Sequence, residues 1–296
     1  MNHSNPYLDT AFDTRWSALT PDLLVPGIKA AMNSASSSLN AIATQTCDPT
    51  FENTILAFHN ATLPLQQAWS KVQNLDNVAN NPERRKAYNE ILPAVTEFYT
   101  ELYLNTALWT RIEAFSKSDE AKRLIPIQKR LLDETICDFK DSGAQLNEAD
   151  KRALKEINNE LAKLTQKYAE NVLDATNAWE LLIDDPEQLK GLPESALLAA
   201  KQYAQHKGKE GQWRFTLQMP SYLPLITYLD NQDIREKVWR AGNSVGSDAP
   251  YDNKAYVKKI LDLRHRKATL LGFDTFADYT TSRRMAKSGT NALDFI

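Results

Sequence analysis

Between Asn147 and Ala175, seam residues recur at alternating steps of three and four: Leu154, Ile157, Leu161, Leu164, Tyr168, a polar Asn171, and Ala175. Such a repeat returns the same face every two turns, so it dictates a long helix with a narrow contact seam. Asn147 stands three residues before Asp150, which places an N-cap at the start. A run of about 30 residues makes a rod about 45 Å long, too long to bury its seam without a partner helix. Leu124 to Phe139 is the natural antiparallel neighbour, turning through Asp141-Ser142-Gly143. The pattern therefore predicts a long antiparallel helical hairpin. A cofactor stripe could share this spacing, but a helix seam needs no ligand to explain it.

The rest of the chain agrees with a mainly α fold. Only 9 of 296 residues are Gly, which disfavours turn-dense sandwiches and glycine-rich phosphate cradles. Residues 1–27, punctuated by Pro6, Pro21, Pro26 and Gly27, read as an extended arm with short turns. Ile28, Ala31, Met32, Ala35 and Leu39 then share one helix face. A second helix after Pro49 carries Ile55, Phe58, Leu65 and Trp69, with a break or kink expected at Pro64. Asn81-Pro82-Glu83 combines an N-cap, a proline at the first helical position and an acid in the first turn. The apolar face that follows runs from Tyr88 through Leu102 and on to Leu108, Ile112 and Phe115. The periodicity changes after Asn177. Trp179–Ile183 and Trp213–Leu217 read as short strands flanking a helix from Ser195 to His206, which predicts a small β element around 179–217. Helices return at 223–229, 234–241 and 255–271, the last stopped by Gly272, and then at 275–284.

Composition removes several function classes. With 35 basic and 38 acidic side chains, the formal charge is −3, against a nucleic-acid partner. No run approaches 18 apolar residues, and Met1 to Asp9 has no charged segment leading into an apolar core. Neither a membrane partner nor a signal peptide is expected. Cys47 and Cys137 lie 90 positions apart without C-x-x-C spacing, which fits a cytoplasmic location but leaves one long-range disulfide open. The Asn60-Ala61-Thr62 sequon is then an accident of composition.

No local motif supplies chemistry. His3, His59, His206 and His265 are followed by Ser, Asn, Lys and Arg, so none begins H-E-x-x-H, the helical pair that would share a face around zinc. His59 reads as an ordinary mid-helix residue. His265 lies among Arg264, Arg266 and Lys267 near a helix C-terminus, where cations are favoured. Gly242-Asn243-Ser244-Val245-Gly246 satisfies G-x-S-x-G. A helix precedes it and a loop follows, the reverse of the strand-turn-helix that exposes a serine nucleophile. The carboxylate pairs Asp133-Glu134 and Asp184-Asp185 read as a solvated face and a turn. No phosphate or dinucleotide motif occurs. No catalytic, cofactor-binding or metal-ligating residue is assigned in this chain.

Several literal segments nevertheless resemble one family. They begin with Asn5-Pro6-Tyr7-Leu8, Leu24-Val25-Pro26-Gly27-Ile28 and Pro49-Thr50-Phe51-Glu52-Asn53-Thr54. Pro220-Ser221-Tyr222-Leu223-Pro224-Leu225 and Ile234-Arg235-Glu236-Lys237-Val238-Trp239-Arg240-Ala241 follow. The most specific are Leu261–Arg264, Leu270-Leu271-Gly272-Phe273, Ala277-Asp278-Tyr279 and Met285-Ala286-Lys287. In this order they resemble the thimet oligopeptidase family of zinc metallopeptidases, in its oligopeptidase A and peptidyl-dipeptidase branch. The resemblance implies a mainly helical enzyme with a deep channel for short peptides. It also implies a zinc site, H-E-x-x-H plus a downstream Glu, in a C-terminal section that these residues do not include. Residues 1–145 would then be an N-terminal helical region. Residues 146–296 would comprise the long helix, the small β element and the start of a second lobe, incomplete at its C-terminus. Zinc belongs to full-length relatives, and no cofactor is expected here. The expected partners are oligopeptides, the missing catalytic portion, or a complete homologous peptidase.

Asn291 to Ile296 reads as about one turn of amphipathic helix without a cap, too short to repay its nucleation. That ending leads us to expect a truncated or divided protein. The sequence thus frames two functions: an inactive N-terminal portion of an oligopeptidase, or a stand-alone helical protein that regulates a complete one.

Overall fold

A computed structural model describes residues 5–296. His3 lies outside the described residues. Twelve α-helices, one pair of short strands and several short 3₁₀ or π-helical turns make up the regular structure among the described residues. They form two compact units: unit 1 comprises residues up to Ala162 together with Leu263–Ile296, and unit 2 comprises Lys163–Asp262.

Unit 1 is built on α1 (Pro21–Ala43), α2 (Ala57–Val78) and α3 (Pro82–Leu104), with α1 packed along both of the others. The helix begins at Pro21 and not at Ile28. Extended Thr20 precedes it, and Pro21 at the first position gives up no intrahelical bond. Pro26 and Gly27 are absorbed inside α1 because its buried face starts at Leu24 and continues through Ile28, Ala31, Ala35, Leu39 and Ile42. The preceding arm makes only short 3₁₀ turns, at Pro6–Leu8 and Trp16–Ala18. It is fastened by buried Tyr7, whose hydroxyl donates to the Leu19 carbonyl at 3.2 Å, and by Asn5 Nδ2 donating to the Leu23 carbonyl at 2.7 Å.

A π-helical turn, Phe51–Leu56, leads into α2, with Thr50 and Asn53 forming a reciprocal capping box. Helix α2 continues unbroken past Pro64. Asn81 caps α3 as its sequence predicts, accepting from the Arg84 amide at 2.8 Å. The apolar face beyond Leu102 does not belong to the same helix. Asn105 interrupts it and caps α4 (Thr106–Ser116), its Oδ1 accepting from the Leu108 amide at 3.0 Å. Spacing could not show this break, because α4 buries Leu108, Ile112 and Phe115 in nearly the same register.

Helix α5 (Pro126–Asp141) turns through Gly143 into α6 (Glu148–Ala178), where Asn147 Oδ1 accepts from the amides of Ala149 and Asp150, each at 3.0 Å. Gly143 has φ +91°, and a Cβ there would approach Leu146 and Leu154 to 2.8 Å, so the turn requires glycine. Within unit 1, the first half of α6 makes polar contacts with α3 and α4: Lys155 with Glu97 and Glu101, and buried Lys151 with Thr106 Oγ1 at 2.9 Å. Phe139 of α5 is fully buried, with ring centroids of Phe58, Tyr103 and Trp109 between 5.2 and 6.0 Å away.

The segment after residue 263 returns to unit 1 and includes α11 (Phe276–Thr281) and α12 (Gly289–Phe295). Unlike the uncapped turn expected from the sequence, α12 is capped: Ser288 Oγ accepts from the Asn291 amide at 3.1 Å, and Asp278 Oδ1 accepts from the Gly289 amide at 2.9 Å. These tethers meet part of the nucleation cost from outside the helix.

Unit 2 contains the expected β element. Strands β1 (Glu180–Ile183) and β2 (Trp213–Thr216) pair antiparallel, with Leu182 opposite Arg214. They are followed in space by α7 (Glu194–Gln205), α8 (Met219–Tyr228) and α9 (Gln232–Asn243) around a small core of Leu181, Ile183, Phe215, Leu225 and Val238 with their neighbours. Gly191, φ +91°, forms the bend before α7, and a Cβ there would collide with the Tyr228 carbonyl. The polar Asn171 of the α6 seam is explained here. Its Nδ2 donates to Asn253 Oδ1 at 2.9 Å, and Asn253 Nδ2 donates to the Tyr168 carbonyl at 3.1 Å. Asn253 stands immediately before α10 (Lys254–Leu270).

Candidate functional site

In unit 1 one arginine meets three acids around a cavity of about 560 Å³ that includes Tyr103, Glu134, Asp138, Asp141, Tyr279 and Arg283. Its three carboxylates occur at steps of four and three along α5, which puts them on one helix face. Arg283, just after α11, meets all three. Its NH1 donates to Asp138 Oδ1 at 2.6 Å and to Asp141 Oδ2 at 3.2 Å, while NH2 donates to Glu134 Oε2. Burial disfavours the guanidinium charge, but the bonds to Asp138, Glu134 and Asp141 outweigh it and hold the pKa above its ordinary value. Tyr103 is pushed up to about 12, first by burial and then by the nearby Asp138 charge.

A second cavity, about 340 Å³, shares Tyr103, Glu134 and Asp138 and extends to Phe58, His59 and Trp69. The chemistry of this region is restrained. Its carboxylates accept from a permanent cation, and its tyrosine keeps its proton at neutral pH. The arrangement fastens α5 to the segment after α11.

The motifs noted in the sequence do not meet here as a catalytic set. His59 is half-buried on α2, His206 follows α7 and is exposed, and His265 is exposed on α10. Ser244 follows α9 directly, so the helix does precede G-x-S-x-G. Asp184 and Asp185 sit in a turn, where Asp185 Oδ1 accepts from the Glu187 amide at 2.9 Å. Cys47 and Cys137 are unpaired. Among the described residues, no three His, Cys, Asp or Glu side chains are placed to hold a metal ion. The resemblance places its zinc site in a section outside these residues, and the three carboxylates that converge on α5 are committed to Arg283.

Sequence reasoning missed Arg283. The three acids stand 142 to 149 positions before it, a separation that leaves no periodic mark. It also missed Arg111, which is buried and donates to the carbonyls of Gln45 and Cys47 and to Asn53 Oδ1, holding the loop before the π-helical turn.

These elements define the class: a mainly helical chain in which ion pairs join helices. Comparison with known proteins supplies the family. Residues 28–152 match "Neurolysin/Thimet oligopeptidase, N-terminal domain", and residues 225–296 match "Peptidase family M3". Oligopeptidase A of Haemophilus influenzae is 35% identical over 301 residues, covering 100% of this chain and 44% of that protein. Oligopeptidase A of Escherichia coli is 35% identical over 298 residues, with 99% and 44% covered. Dipeptidyl carboxypeptidase of Escherichia coli is 29% identical over 293 residues, with 98% and 42% covered. The chain belongs to the thimet oligopeptidase family, peptidase family M3, and corresponds to an N-terminal portion of its members. It spans less than half the length of these relatives. No helix among the described residues is long and apolar enough to cross a membrane.

Proposed function

We propose that these 296 residues form the non-catalytic N-terminal portion of a zinc oligopeptidase that degrades short peptides. The observation that carries this reading is the order of the two matches, an N-terminal domain at 28–152 followed by a peptidase segment at 225–296. In this reading, residues 1–145 supply a helical wall and 146–296 begin a second lobe. The partners are oligopeptides and the C-terminal catalytic portion. A cytoplasmic location accords with the two unpaired cysteines.

The chain alone is expected to hydrolyse nothing. Incubating the purified 296 residues with a fluorogenic oligopeptide should give no turnover above the blank, with or without added zinc. Chelator-sensitive cleavage would overturn this assignment.

A second reading draws on the apolar side chains that unit 2 leaves exposed, including Leu198, Leu223, Tyr228 and Trp239. It makes the chain a stand-alone helical protein that binds and regulates a complete peptidase of the family. Mixing the two proteins tests it. Complex formation with a changed peptidase rate supports regulation, whereas neither effect removes it.

A further inference from the structure

Unit 2 contains a pocket of about 290 Å³ beside the strand pair, lined in part by Asn177, Tyr203, Arg214, Thr216, Gln218 and Ser221. Its hydrogen-bonding capacity is unbalanced. Arg214 Nε donates to Glu180 Oε2 at 2.8 Å, across the diagonal of the β1–β2 register. That bond fixes the plane of a guanidinium whose side chain is 15% exposed. No group among the described residues accepts from its two terminal nitrogens, which leaves a fork of donors at the pocket.

The neighbouring groups reinforce the imbalance. Ser221 Oγ accepts from the Thr216 amide at 3.0 Å, and Thr216 Oγ1 accepts from the Gln218 amide at 3.3 Å. Each hydroxyl has thus used an acceptor site and still has its proton to donate. Asn177 Oδ1 accepts from Gln218 Nε2 at 2.7 Å, which leaves the Asn177 amide nitrogen as another donor. The pocket therefore presents mainly N–H and O–H groups.

Charge points the same way. Glu180 is held below the ordinary carboxylate value, first by the hydrogen bond from Arg214, and also by the positive charges of Arg214, Lys207 and Lys209. Three cations thus act around one acid. The volume is near the lower end of ligand sites, roughly 300 Å³, which suits one end of a ligand better than a whole cofactor. A single guanidinium fork also matches the two oxygens of a planar monoanion.

We propose that this pocket binds a carboxylate, gripped by the terminal nitrogens of Arg214 and completed by donors from Asn177, Thr216 and Ser221. The carboxylate can come from the C-terminus of a peptide or from an acidic side chain. The assignment stands whether or not the chain completes a peptidase.

The test is calorimetric titration of the 296-residue chain with four probes: acetyl-tetraalanine with a free C-terminus, its C-terminal amide, an acetylated and amidated peptide containing one Asp, and inorganic phosphate. The free-carboxylate peptide, the Asp peptide, or both should bind at least about ten-fold more tightly than the amide. Which of the two binds identifies the source of the carboxylate. Arg214→Met should abolish this preference, and Arg214→Lys should weaken binding about ten-fold because the fork is lost. Glu180→Gln removes the same ion pair but leaves more positive charge for the ligand, so binding should tighten about two- to five-fold. That opposite sign separates anion recognition from loss of folding. Equal or absent binding of all carboxylate probes, unchanged binding by Arg214→Met, or saturable binding of phosphate alone would overturn the assignment.

Discussion

Phe139 of unit 1 and Phe215 of unit 2 are both almost fully buried, yet they serve cores of different kinds. Among the described residues, Phe139 joins a cluster of 29 buried apolar residues drawn from the arm, from α1 to α5 and from the turns between them. Phe215 belongs to a cluster of nine, formed by two short strands and the helices around them. A large core can lose one side chain and keep its architecture. A small one depends on each member and on polar ties such as the Asn171–Asn253 pair.

Truncating the two phenylalanines breaks the comparison most severely. Phe139→Ala should cost about 3–5 kcal/mol, by the usual range for a buried aromatic, and lower the denaturant midpoint of unit 1. Phe215→Ala should cost about as much. In unit 2 it should abolish protected amide exchange instead of only shifting a transition. Equal retention of exchange protection in both variants would remove the distinction between the cores.

Alkaline titration sharpens it next. Tyr88 and Tyr103 are both pushed up to about 12, with burial the largest cause. Their unfolded value is about 10, so the stability they contribute is complete below pH 10 and is lost as pH rises through 12. Each accounts for roughly 2 kcal/mol of unit 1 stability over that window. Tyr103→Phe should flatten the decline of far-ultraviolet circular dichroism between pH 10 and 12. An unchanged profile would show that its phenol does not couple to folding.

The smallest effect concerns the ionic fastening. Arg283→Ala should destabilise unit 1 by only about 1 kcal/mol, because the arginine and its three acids are all partly exposed. Amide exchange should accelerate locally in α11 and α12. In the wild type, high salt should reproduce part of that acceleration, and salt independence would indicate that packing alone holds the segment.

Local signals and long-range ones were unequally legible in the sequence. Asn81 and Asn147 announced helix starts because a cap acts within four residues, and the strand pair was visible from its alternation and flanking turns. Asn105 was not, because the same apolar period runs through α3 and α4. Pro26 and Gly27 concealed the true start of α1, whose buried face overrode their local helix-breaking preferences. The candidate sites were less visible still. Arg283 meets acids more than 140 positions away, and Arg214 meets Glu180 34 positions away across a strand pair. Pairings of this kind depend on tertiary geometry and carry no period.

The division of unit 1 into two stretches of sequence has a consequence for biosynthesis. Lys163–Asp262 is complete before Leu263 is added, so all of unit 2 leaves the ribosome while unit 1 still lacks its last part. At roughly 5–20 residues per second, Arg283 follows residue 163 by about 6–24 s. Throughout that interval the acidic face of α5 has been made without its arginine. Released chains that end just before and just after residue 283 should therefore differ in protease resistance at α5, although every residue of that helix is the same.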